Sequence, residues 1–135
     1  AFAGQSISLE LEDDIDIGRG DVISKIENAP TTIQDVDAML CWMGDSAMNL
    51  SKKYTLMYNG NAVMCKIQRL VHEIDVNTFH INEESENLSK NGIGRVNIRL
   101  AKPIAADAYS KNRNTGSFIL VEEGTNATVA AGMIR

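Results

Sequence analysis

The chain has 135 residues, with 13 basic and 18 acidic side chains and a formal charge of −5. That length holds one domain, or one domain with the edge of another, and a core that needs no disulfides. An acidic balance without a basic stripe disfavours nucleic acid as a partner, because sequence-independent binding works by displacing counterions.

Other classes fall away on local grounds. No apolar window approaches the ~20 residues of a membrane helix, and no charged-apolar-small leader opens the chain. Cys41 and Cys65 lie inside apolar runs, and two such cysteines make no secreted disulfide framework. Both are expected to be free thiols of a cytoplasmic protein.

The predicted elements are short and run in period two. Ser6–Glu12 reads S-I-S-L-E-L-E, and Asp21–Ile26 follows the turn-like Arg19-Gly20. Both are expected to be strands. The chain opens without Met and directly in strand-like text, so it is expected to be an excised piece of a longer protein. Asn28-Ala29-Pro30 is the expected seam, since proline ends regular pairing. The expected split is residues 1–27, the last strands of a preceding module, and 28–135, a complete barrel.

Beyond the seam, Val36, Ala38, Leu40 and Trp42 alternate with Asp35, Asp37, Met39 and Cys41. Tyr54–Tyr58 and Ala62–Leu70 are joined by Asn59-Gly60, whose two residues suit the positive φ angles of a type I′ hairpin turn. Asn82–Asn91 is polar, with Leu88 its one large apolar residue, and reads as a loop with room for one helical turn. Val96–Leu100 alternates again, and Phe118–Val121 and Val129–Ile134 flank Glu123-Gly124-Thr125-Asn126 as a closing hairpin. Eight short strands with Asn, Gly and Asp punctuation predict an all-β antiparallel barrel or sandwich. Its core is expected at Val36, Leu40, Val63, Ile67, Val96, Ile98, Leu100, Phe118, Leu120 and Val129. Gly132, inside the last strand, should mark a close approach.

Catalytic constellations are missing from this text. A phosphate-binding loop needs G-x-x-x-x-G-K-[ST] between strand and helix, and Gly92-Ile93-Gly94 leads into a strand instead. His72 and His80 lack the H-E-x-x-H helix of a metalloenzyme, and Thr115-Gly116-Ser117-Phe118 is no nucleophile elbow. Glu12-Asp13-Asp14 with Asp16 lacks the ligand series of a calcium loop, and Arg19-Gly20-Asp21 reads as a turn. No catalytic, cofactor-binding or metal-ligating residue is therefore assigned. What remains is a modest basic surface at Arg95, Arg99 and Lys102, with Tyr109, Lys111 and Arg113 in the following loop. Tyr and Arg are the types that dominate interface energetics, so Arg95, Arg99, Lys102, Tyr109 and Arg113 form the candidate docking surface.

Several blocks resemble one family. Asp16–Ile23 (D-I-G-R-G-D-V-I) is similar to the passage between the second and third domains of elongation-factor-Tu-like GTPases. Val71–Thr78 (V-H-E-I-D-V-N-T) and Asn112–Val121 (N-R-N-T-G-S-F-I-L-V) resemble the C-terminal region of the GTP-binding large subunit of sulfate adenylyltransferase. Translation factors of the superfamily carry Arg directly before the Phe of the closing hairpin, and this chain has Ser117 there.

The resemblance implies a six-stranded barrel like the third domain of elongation factor Tu. It implies a parent that couples GTP hydrolysis to synthesis of adenosine 5′-phosphosulfate from ATP and sulfate. GTP and Mg are expected on an N-terminal domain that this sequence does not include, and no cofactor on these residues, which alone should neither bind nor hydrolyse GTP. The implied partners are the GTPase domain of the same parent chain and a small catalytic subunit, with no membrane. Some members continue into an adenylylsulfate kinase domain. The rival reading is a tRNA-binding barrel of a translation elongation factor.

Overall fold

A computed structural model describes residues 1–135, and hydrogen-bonded strands begin only at Thr31. They are β1 (Thr31–Trp42), β2 (Lys53–Tyr58), β3 (Asn61–Ile74), β4 (Ile81–Asn82), β5 (Ile93–Ala106), β6 (Ser117–Glu122) and β7 (Thr128–Ile134). All pairings are antiparallel, and the ring β1-β5-β3-β2-β6-β7 closes on itself, with β4 appended to the end of β3. Closure leaves the six long strands without a free edge inside the ring. Register breaks at Ile33/Asp35, Ile67/Arg69, Leu70/His72 and Leu120/Val121 give the long strands their bend.

The turns follow the residue types. Asn59 and Gly60 have φ of 41° and 76°, which sets Tyr58 opposite Asn61 in the two-residue hairpin. At the closing hairpin Gly124 and Asn126 take positive φ, while the Glu122 N–H donates to the Ala127 carbonyl across the loop at 2.9 Å.

Inside the ring lie 21 buried apolar residues. Nine of the ten expected core positions are among them. Val63, three residues past the hairpin glycine, is half-buried against the core instead. Trp42 meets Tyr54 edge-to-face at 5.7 Å and donates its indole N–H to the Ser46 carbonyl at 2.7 Å. These contacts plug one end of the barrel.

Two expectations are corrected. Ser6–Glu12 and Asp21–Ile26 are not strands: residues 1–30 hold one 3-10 turn, Ile26–Asn28, and no sheet pairing. Alternation alone makes no strand when no sheet edge accepts it, and Ile7, Leu9 and Leu11 stay exposed. In Asn82–Asn91 there is no helical turn. The segment is a loop pinned by Leu88, which is fully buried and whose carbonyl accepts the Met48 N–H.

Candidate docking surface

The basic face is electrically satisfied. Arg95 on β5 makes a two-pronged ion pair with Asp37 on β1, at 2.9 and 2.6 Å, and Arg99 pairs with Asp35. The β1–β5 register sets Asp35 directly opposite Arg99 and Asp37 diagonally from Arg95. The Arg95 guanidinium holds the Asp37 carboxyl below the usual carboxylate range. Arg95 and Arg99 therefore lace two strands together, while Lys102 is exposed further along β5.

The loop after β5 is tied down by hydrogen bonds, and the residue types show why. Asn112 accepts the Gly116 N–H on its carbonyl and the Asn114 N–H on its side chain, at 2.8 and 3.1 Å. Thr115 donates to Asp107 at 3.0 Å, and the Tyr109 N–H bonds the Ile134 carbonyl of β7 at 2.8 Å. A Cβ at Gly116 would stand 2.5 Å from the Tyr109 Cα, so only glycine lets the loop fold back this closely. Arg113 lies over the Tyr109 ring, 5.9 Å from its centroid. The structure thus brings Tyr109 and Arg113 together, while Arg95 and Arg99 are each taken up by a β1 carboxylate.

The Val71–Thr78 block runs out of β3 into a turn at Asp75–Thr78. The Asp75 carboxylate accepts the backbone N–H groups of Asn77 and Thr78 at 2.8 and 3.2 Å, which depress its pKa. His72 stands opposite Arg95 in the sheet, and His80 is exposed. The glycines form no phosphate cradle. A Cβ at Gly92 or Gly94 would meet the Ser89 or His72 carbonyl within 3 Å, so the space is filled by protein.

One surface was not found from the sequence. Met57, Ile119, Ala131, Cys41 and Ile93 are successive cross-strand partners on β2, β6, β7, β1 and β5. All five point outward, and they floor an open groove of about 490 Å³ that Met39, Met133 and Tyr109 also line. The available signal was that Phe118–Val121 and Val129–Ile134 are continuous apolar runs, the mark of strands covered on both faces.

The family model for the GTP-eEF1A C-terminal domain-like family matches residues 35–135. The chain belongs to that family. The barrel is also similar along its whole length to two curated proteins. The bifunctional enzyme CysN/CysC of Mycobacterium tuberculosis (strain H37Rv) is 42% identical, over 99% of this chain and 22% of the relative. Sulfate adenylyltransferase subunit 1 of Shewanella woodyi is 36% identical, over 100% of this chain and 29% of the relative. The chain therefore spans less than a third of these relatives. Among solved structures, sup35 complexed with GDP superposes with a TM-score of 0.71 at 14% identity, covering 81% of this chain and 26% of that one. That likeness establishes the elongation-factor-like barrel fold.

Proposed function

We propose that this eEF1A-C-like barrel is the C-terminal, non-catalytic part of the GTP-binding subunit of a cytoplasmic sulfate adenylyltransferase. In this reading the parent couples GTP hydrolysis to synthesis of adenosine 5′-phosphosulfate from ATP and sulfate. The barrel orients the GTPase domain and offers docking surface to it and to the small catalytic subunit. The observation that carries the reading is the likeness to sulfate adenylyltransferase subunit 1 from end to end of the chain.

The geometry supports a docking role. The loop that carries N-R-N-T-G-S is spent on hydrogen bonds that tie it down and hold the Tyr109 backbone, and Arg113 lies over the Tyr109 ring. A preorganised aromatic–guanidinium pair is suited to an interface because little side-chain entropy is left to lose. Ser117 on the groove keeps that wall uncharged, whereas the Arg of translation factors would set a guanidinium there.

The test is made in the full-length polypeptide. Mixed with the small subunit, it should form adenosine 5′-phosphosulfate in a GTP-dependent way. Replacing Tyr109 and Arg113 together by Ala should weaken association with the small subunit or with the GTPase domain by at least about 1 kcal/mol. No product formation, or unchanged affinity at both contacts, would reject the reading.

A further inference from the structure

The outer face of β2, β3 and β5 carries a row of like charges. Lys53 stands directly opposite Lys66, and Lys66 directly opposite Arg99. All three are exposed. Like charges set opposite one another destabilise a sheet. The chain has 18 acidic residues against 13 basic ones, so carboxylates to break the row are not in short supply. The neighbouring strand pair shows the alternative arrangement: Asp35 and Asp37 on β1 pair with Arg99 and Arg95 on β5.

The charges of the row are available. Lys52, Lys90 and Lys111 each pair with a carboxylate, whereas neither Lys53 nor Lys66 forms an ion pair. Arg99 commits one guanidinium N–H to Asp35, unlike the two-pronged Arg95–Asp37 pair. The Asp35 side chain is 74% exposed, so that pair is weak in water and Arg99 keeps donors free for another acceptor. The three cations border one open cavity of about 240 Å³, with Met64 and Ala101 also in its lining. Apolar walls beside the cations lower the local dielectric and strengthen their pull on an anion.

We propose that this row is a binding site for a small polyanion built of linked phosphate groups. Three cations on adjacent strands form a line about 10 Å long, two strand spacings. A line of charge matches a chain of phosphates better than it surrounds one tetrahedral ion. The cavity lining has no aromatic ring on which a base would stack, so the ligand is the phosphate chain itself rather than a nucleotide or RNA. This inference does not rest on the sulfate-activating reading.

The probe is sodium tripolyphosphate without divalent metal. The readout is acylation of each lysine by an N-hydroxysuccinimide ester, followed by peptide mass spectrometry. Because each lysine is read separately, the full-length polypeptide is used whatever its other domains bind. Against sodium chloride of equal ionic strength, tripolyphosphate should slow Lys53 and Lys66 at least about fivefold. Lys25 and Lys111 should be unchanged. Arg99→Gln should remove most of that protection, scored in each protein as the ratio of rates with and without the probe. Should Arg99→Gln lower the melting temperature, Lys66→Gln is scored at Lys53 in its place.

Four results would overturn the proposal. Sodium sulfate at the same ionic strength, protecting as well as tripolyphosphate, would reduce the row to charge screening. Protection that survives in the substituted protein would show that the row does not act together. Lysines 53 and 66 that fail to react in sodium chloride would place the face under other protein. Stronger protection per phosphate by GTP or by single-stranded RNA would show that bases are read as well. None of these readouts involves the sulfate-activating reaction, so failure of that reading and failure of this one are separable.

Discussion

Gly132 sets the spacing between β7 and the Phe118 ring. A Cβ there would stand 2.2 Å from Phe118 Cζ and under 3 Å from two more ring carbons, with Gly132 directly opposite Phe118 in the register. The ring fills the place where a side chain would be, which is why a glycine is tolerated inside a strand. Gly132→Val should destabilise by about 1–3 kcal/mol through overpacking. An unchanged denaturation midpoint would show that the ring can swing aside. The same residue was readable from the sequence as a point of close approach; that Phe118 is what approaches was not.

At the scale of elements, β1 and β5 are joined by an ion-pair ladder. Asp37 has a folded-state pKa below its ordinary 3.8, chiefly through the hydrogen bond from Arg95. Its contribution is therefore present above the unfolded value and lost as pH falls through the lower folded one. Both partners are about one-third exposed, so screening keeps the effect modest. Asp37→Asn should lower the melting temperature near neutral pH, and the gap from the native protein should narrow as pH drops below about 3.8. A gap that stays constant with pH would assign the loss to packing.

The alternating text of β1 and the Asn-Gly turn made these strands legible, because period two and turn chemistry are local properties. The ladder was not legible. Reading Arg95 and Arg99 as an open basic face overlooked that Asp35 and Asp37 lie 58 to 64 residues away in sequence and adjacent in space.

Over the whole molecule, the barrel is closed at one end by a loop rather than by a strand. Leu88 is fully buried, and a Cβ at Gly94 would come within 3.0 Å of it. Met48 and Leu88 are tied by a 2.8 Å backbone hydrogen bond that joins the two loops at that end. Leu88→Ala should cost about 2–5 kcal/mol, as for a core leucine. A loss below 1 kcal/mol would make the loop a loose cover.

By itself the sequence determined the all-β class, the long strands between residues 31 and 135, and nine of the ten core positions it named, within a core of 21 residues. It did so because inward and outward residues alternate within each strand and Asn and Gly mark the turns. Three things were decided only by the tertiary structure. Residues 6–12 and 21–26 carry strand text but remain unpaired, since pairing needs a sheet edge that alternation cannot supply. The apolar groove exists because register lines up Met57, Ile119, Ala131, Cys41 and Ile93 from five strands. Leu88, alone in a polar stretch, becomes core because barrel closure leaves an open end for it to fill. Each depends on contacts between residues far apart in the chain, and no local pattern records those.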